Sequence, residues 1–231
     1  MNAFWKEPCG RELHLGMEEL HIWRVRLRPG NVLPEGLSCQ EKMRAGRFLS
    51  HGARQRYIAS HVAMRNILSL YLQTPPAEIS IIQPELNKPR LVSDAGSRAV
   101  SFSLSRSEDV CLVAVASCAQ VGVDIECLAA DRYEAGMAEQ VFTPDELEAF
   151  AAIAPEERLR VFLRCWTRKE AYAKCIGLGL AADLKHVELG LTEERAGVLG
   201  VAVASFIPLE GFQAAWAATD ALRPSFWSWT F

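Results

Sequence analysis

Twice along this chain of 231 residues a long helical stretch is followed by several short strand-like runs, and nowhere do strand, helix and strand alternate. That order argues against a parallel βαβ sheet and points to an α+β fold, with helices laid against small antiparallel sheets. The first stretch runs from about Ser38 to Leu72 and is broken near Ser50-His51-Gly52. In its second part Tyr57, Ile58, Val62, Met64, Ile67, Leu68 and Tyr71 recur at helical spacing. The second stretch, about Pro155 to Ile176, stops at Gly177-Leu178-Gly179. Strands are predicted at 20–27, 79–82, 100–105, 109–117 and 120–126, then at 187–189, 200–207, 212–219 and 226–231. Thr143-Pro144-Asp145-Glu146 opens a further helix with a threonine cap, a proline and acid in the first turn. Two similar lobes are expected, residues 1–118 and 119–231, each a long helix packed on a small sheet.

Two short segments carry the chemistry. Val-Gly-Val-Asp-Ile-Glu at 121–126 reads as a strand, so Asp124 and Glu126 share a face. Trp-Thr-Arg-Lys-Glu-Ala-Tyr-Ala-Lys at 166–174 reads as a helix, so Trp166, Glu170 and Lys174 form one stripe. Packing that helix beside that strand gathers three carboxylates and one ammonium in one place. Gly122, just before the acidic pair, is the residue that close approach of another backbone or a ligand requires. Crowded carboxylates call for a divalent cation, and magnesium suits a site of few carboxylates completed by waters and phosphate oxygens. Asp124, Glu126 and Glu170 are the expected ligands, with manganese as a possible substitute for magnesium.

Composition restricts the function classes. With 25 basic and 28 acidic residues the net charge is −3, against the basic footprint of nucleic-acid binding. A magnesium nuclease with Asp and Glu-x-Lys would carry its glutamate and lysine alternating on a strand, whereas Glu170 and Lys174 have helical spacing. No apolar run approaches the ~20 residues of a membrane span. Met1-Asn2-Ala3-Phe4-Trp5-Lys6-Glu7 lacks the features of a signal peptide, so a cytoplasmic monomer is expected. The seven cysteines include no C-x-x-C pair. Cys111, Cys118 and Cys165 lie in apolar stretches and are expected to be buried.

Together, the Gly-x-Asp and Trp-Thr-x-Lys-Glu-Ala-x-x-Lys segments, with Asp124 and Glu170 46 residues apart, resemble the paired signatures of the 4′-phosphopantetheinyl transferases. The resemblance covers most of the chain and is to the two-lobed, surfactin-synthetase-activating type. It implies an active site between the lobes and transfer of 4′-phosphopantetheine from coenzyme A to a serine of an apo acyl or peptidyl carrier protein, as a holo-acyl-carrier-protein synthase does, releasing 3′,5′-ADP. Intact Asp124, Glu126, Glu170 and Lys174 argue against the alternative of a carrier- or coenzyme-A-binding protein without catalysis. In the resemblance Glu170 is the base and Lys174 the phosphate partner. Lys88, Pro89, Ser105, Arg106, Asp124, Lys169, Lys174 and the helix arginines Arg44 and Arg56 surround coenzyme A. The familial turn and Phe-Asn-Leu-Ser-His-Ser segment stand here as Asn87-Lys88-Pro89 and Phe102-Ser103-Leu104-Ser105-Arg106-Ser107. Arg106 thus replaces a histidine and Ser103 an asparagine. The stretch 128–142, with Arg132, Met137 and Val141, corresponds to the region that docks the carrier.

Overall fold

The computed structural model describes residues 4–8, 13–27, 30, 32–82, 88–92, 99–129, 136–178 and 184–231. In chain order the elements are β1 (Trp5–Lys6), β2 (Glu19–Arg26), α1 (Cys39–Gly46), α2 (His51–Leu72), β3 (Ile81–Ile82), β4 (Arg90–Leu91), β5 (Val100–Ser107), β6 (Val110–Ser117) and β7 (Val121–Cys127). After them come α3 (Met137–Val141), α4 (Pro144–Ala151), α5 (Pro155–Ile176), β8 (Ala196–Val198), β9 (Val201–Phe206), β10 (Phe212–Ala218) and β11 (Arg223–Trp229).

Local chemistry sets the helix limits. Ser38 and Thr143 each cap a helix and form a capping box, with Glu41 and Glu146 respectively. The break between α1 and α2 falls at Ser50, whose hydroxyl accepts from the Ala53 amide and starts the second helix. Helix α5 ends where Gly177 turns left-handed at φ 77°.

The strands form a five-stranded sheet, β1-β11-β2-β6-β5, a four-stranded sheet, β7-β10-β9-β8, and the small β3-β4 pair. The four-stranded sheet is antiparallel throughout. The two larger sheets pack face to face: Leu20, Ile22, Leu112 and Ala114 from one meet Val121, Val123, Ile125 and Trp216 from the other in one core. On its other face the five-stranded sheet is covered by α2, where Ala63, Ile67 and Leu68 pack on Trp23, Cys111, Val113 and Val115. The four-stranded sheet is covered by α5, through Ala171, Tyr172 and Cys175 against Val203, Ala215 and Ala217. The result is helix, sheet, sheet, helix. Strand β6, apolar up to its last residue Ser117, is buried along its whole length on both faces.

The α+β class stands, with three departures in detail. The lobe boundary is not a clean cut at residue 118: β11, from the second half, lies between β1 and β2 and runs parallel to both. Residues 187–189 are not a strand, because buried side chains take up the backbone groups that a ladder would use. Lys169 donates to the Leu184 and Val187 carbonyls, Arg168 to those of Leu189 and Gly190, and Glu146 accepts from the Leu189 and Gly190 amides. Cys118 is exposed rather than buried, because it sits at φ 61° in the turn between β6 and β7.

Candidate active site

The seam between β5, β7 and α5 gathers the acidic motif. Val123 and Ile125 point into the shared core, which puts Gly122, Asp124 and Glu126 on the side of α5. Gly122 makes the approach possible: a Cβ at this position would stand 1.9 Å from the Ala171 carbonyl oxygen and 2.6 Å from the Cys175 amide nitrogen. With the backbones this close, Glu170 and Lys174 lie over the strand.

Asp124 is 4% exposed and fixed on one side only. Its Oδ1 accepts from Lys174 Nζ at 2.5 Å and from Ser105 Oγ at 2.8 Å. Lys174 also donates to Ser105 Oγ at 3.1 Å and to the Val123 carbonyl at 3.3 Å. The other oxygen, Oδ2, is buried and has no hydrogen-bond partner among the described residues. Glu126 Oε2 accepts from Ser107 Oγ at 3.0 Å. Burial first, and the Asp124 carboxylate second, push Glu170 above the ordinary carboxylate range; Lys174 opposes them and Glu126 adds to them.

This donor set suits a hard divalent cation. Among the described residues a desolvated aspartate oxygen lacks a donor, and burial together with the Asp124 carboxylate raises the proton affinity of the neighbouring Glu170. The carboxylates are not arranged as a finished cage. Among the described residues no group of three His, Cys, Asp or Glu side chains stands ready to hold a metal. Lys174 supplies the counter-charge on Asp124.

A second cluster lies on the helical side of the five-stranded sheet. The Arg44 and Arg106 guanidiniums stand 6.0 and 5.5 Å from the Tyr57 ring, and Arg106 donates to Ser60 Oγ at 3.4 Å. A cavity of about 620 Å³ opens here, lined by Arg44, Arg47, Phe48, Tyr57, Arg65 and Ile81. Among the described residues the Tyr57 hydroxyl is buried without a hydrogen-bond partner. Glu41 also lines the pocket and holds Arg65 at 2.7 Å, so the guanidiniums that could meet an anion here are those of Arg44 and Arg47. Arg47 and Tyr57 were not singled out from sequence, although Arg44 and Arg47 are one helical step apart and both reach the pocket.

Other expected residues are elsewhere. Lys169 does not reach the cluster: about 100° round α5 from Glu170, it is fully buried in an ion pair with Glu146 at 2.7 Å. Arg56 is exposed and pairs with Asp109 at 2.9 Å and Glu108 at 3.6 Å. Lys88 donates to the Val121 carbonyl at 2.5 Å, and burial pulls its ammonium down to about 8. With Pro89 it lines a separate cavity of about 420 Å³ beside Cys118 and Cys175. Ser105 meets Asp124 and Lys174, so any effect on a ligand passes through them. Val141 is buried and Met137 half-buried against the core around Phe142, leaving Glu139 and Gln140 as the exposed residues of α3. Arg132 lies outside the described residues.

A buried carboxylate–ammonium cluster thus lies at the seam of two helix-covered sheets, and an arginine-bearing pocket opens on the α2 side of the five-stranded one. The family model of the 4′-phosphopantetheinyl transferase superfamily matches residues 120–220, the span from β7 through β10. The chain is 32% identical to the 4′-phosphopantetheinyl transferase HetI of Nostoc sp. over 95% of this chain and 96% of that protein. It is 31% identical to the phosphopantetheinyl transferase of Thraustochytrium sp., over 70% of this chain and 60% of that one. To the human L-aminoadipate-semialdehyde dehydrogenase-phosphopantetheinyl transferase it is 26% identical over 81% of this chain and 60% of the human protein. The chain belongs to the 4′-phosphopantetheinyl transferase superfamily.

Proposed function

We propose that this chain is a magnesium-dependent phosphopantetheinyl transferase of the two-lobed, surfactin-synthetase-activating type. It moves the 4′-phosphopantetheine group of coenzyme A onto a serine hydroxyl of an apo acyl or peptidyl carrier protein and releases 3′,5′-ADP, a holo-acyl-carrier-protein synthase activity. The observation that carries the reading is the Asp124, Glu126, Glu170 and Lys174 cluster, with its unpartnered Asp124 Oδ2.

Asp124, Glu126 and Glu170 would hold the cation, which when bound neutralises charge on the pyrophosphate. Lys174 would give up the longest of its three donations, the one to the Val123 carbonyl at 3.3 Å, to reach the phosphates and steady the leaving group. Glu170 accepts the proton of the attacking serine, directly or through water; its raised affinity for protons matches that task. Arg44, Arg47 and Arg106 hold the nucleotide end, Arg106 in place of the familial histidine and without its sensitivity to pH. The carrier, a transient partner, approaches near α3. A monomer in a reducing cytoplasm suits the free thiols of Cys39, Cys111, Cys118, Cys165 and Cys175 among the described residues. Among the described residues no helix is long and apolar enough to cross a membrane.

The test is incubation with coenzyme A, magnesium chloride and a panel of apo carriers, followed by intact-protein mass spectrometry. The expected result is a carrier heavier by one phosphopantetheine, with chelator stopping the reaction. Asp124→Ala is expected to abolish transfer while the chain still folds, at a somewhat lower unfolding temperature because the bonds to Ser105 and Lys174 are lost. Carriers unmodified by the wild-type chain, or full-rate transfer by the variant, would overturn the assignment.

A further inference from the structure

Strand β5 carries serine at every second position, Ser101, Ser103, Ser105 and Ser107, and all four side chains face the same neighbour. That neighbour is β7, which belongs to the other sheet. The four hydroxyls replace a backbone ladder between the two strands. Ser101 donates to the Ala119 carbonyl, just ahead of β7, and Ser103 Oγ accepts from the Val123 amide at 3.1 Å. Ser105 donates to Asp124 Oδ1 at 2.8 Å. Ser107 does both jobs: its Oγ accepts from the Cys127 amide at 3.0 Å and donates to Glu126 Oε2 at 3.0 Å. Ser103 and Ser107 are each 4% exposed.

The difference between these two serines is informative. Each ties a β7 amide across the seam, but only Ser107 also holds a carboxylate. Its single hydroxyl hydrogen is committed to Glu126 while its lone pair is committed to the backbone, so the direction of that hydrogen is fixed. We propose that Ser107 is a positioning residue for Glu126: the amide of Cys127 orients its hydroxyl, and the hydroxyl in turn aims the glutamate at the cation. This rests on the metal-assisted reading of the cluster. Partners that orient a ligating carboxylate typically change metal affinity ten- to hundredfold when removed.

The test compares Ser107→Ala with Ser103→Ala in the full-length chain, with coenzyme A present. Magnesium dependence is read from transfer to carrier, and cation binding is read directly by manganese paramagnetic resonance titration. Both variants are expected to unfold at lower temperature, since each loses its bond to a β7 amide and Ser107→Ala loses the bond to Glu126 as well. Only Ser107→Ala is expected to need ~10-fold or more extra cation in both readouts, with turnover at saturating cation recovering most of the wild-type rate. Adding Ser107→Ala to Glu126→Gln is expected to change the cation dependence no further. If the alanine variant does not fold, Ser107→Cys keeps the volume, exchanges the hydroxyl for a weak donor, and gives the same readouts. An unchanged cation requirement in Ser107→Ala, or an equal rise in Ser103→Ala, would overturn the proposal while leaving the transferase reading intact. A wild-type chain that bound no cation would overturn both.

Discussion

Glu170 is the side chain at which folding and chemistry oppose one another. Burial and the Asp124 carboxylate raise its proton affinity in the folded state, more than Lys174 lowers it. A carboxyl whose folded pKa is raised gives stability that is fully present below the ordinary carboxylate range and lost as pH climbs through the raised value. At neutral pH the ionised side chain is therefore a cost to the fold. Glu170→Gln is expected to raise the unfolding temperature at neutral pH in chelating buffer, the gain shrinking in acid, while turnover falls ~100-fold or more because the amide takes no proton. Wild-type activity should fall as pH drops through the raised pKa. A variant less stable than wild type at neutral pH would show that Lys174 dominates. The residues of this cluster were legible because strand and helix periods fix which side chains share a face. Lys169 was not: one position from Glu170, it turns to Glu146, a partner 23 residues away whose role no local pattern displays. Lys88 and Arg56 likewise found partners, the Val121 carbonyl and Asp109, that only the assembled sheets supply. The sequence question left by Ser103, which stands where the family has asparagine, is answered by its bond to the Val123 amide.

At the level of elements, the packing of α5 on β7 depends on a missing side chain. A methyl group on Gly122 would meet backbone, the Ala171 carbonyl and the Cys175 amide, rather than a flexible side chain that could swing aside. Helix and strand must separate to admit it, and overpacking of this kind costs about 1–3 kcal/mol or more. Separation also carries Glu170 and Lys174 away from Asp124. Gly122→Ala is thus expected to lower the unfolding temperature and the turnover together, whereas an ordinary core lesion lowers the first alone. Near-normal turnover at a reduced unfolding temperature would disprove the coupling. Both long helical stretches were legible within a residue or two, since Ser38, Ser50, Pro155 and Gly177 mark their limits. The strand expected at 187–189 failed because Arg168, Lys169 and Glu146 claim its backbone groups. Strands β1 and β8, of two and three residues, are too short to show a period.

At the scale of the molecule, α+β order and the helix-on-sheet plan were legible, but the interleaving of the halves was not. Nothing in the alternation of residues 223–229 says which sheet they join; that is decided by surfaces far away in sequence. In β11, Phe226 meets Phe206 at 5.1 Å in the core between the sheets, while Trp227 stacks on Trp23 at 5.5 Å on the α2 side. The first-half sheet therefore lacks a central strand until the second half has been made. Removing it leaves β2 without one of its two neighbours, β1 without its only one, and Leu20, Ile22 and Trp23 without cover. A fragment of residues 1–118 is accordingly expected to show no cooperative transition in urea and little near-ultraviolet signal from Trp23. The full chain is expected to unfold in one transition, and mixing the 1–118 and 119–231 fragments to restore the signal. Cooperative unfolding of the 1–118 fragment at a midpoint near that of the whole chain would show that the halves are independent, and that β11 merely decorates an already stable sheet.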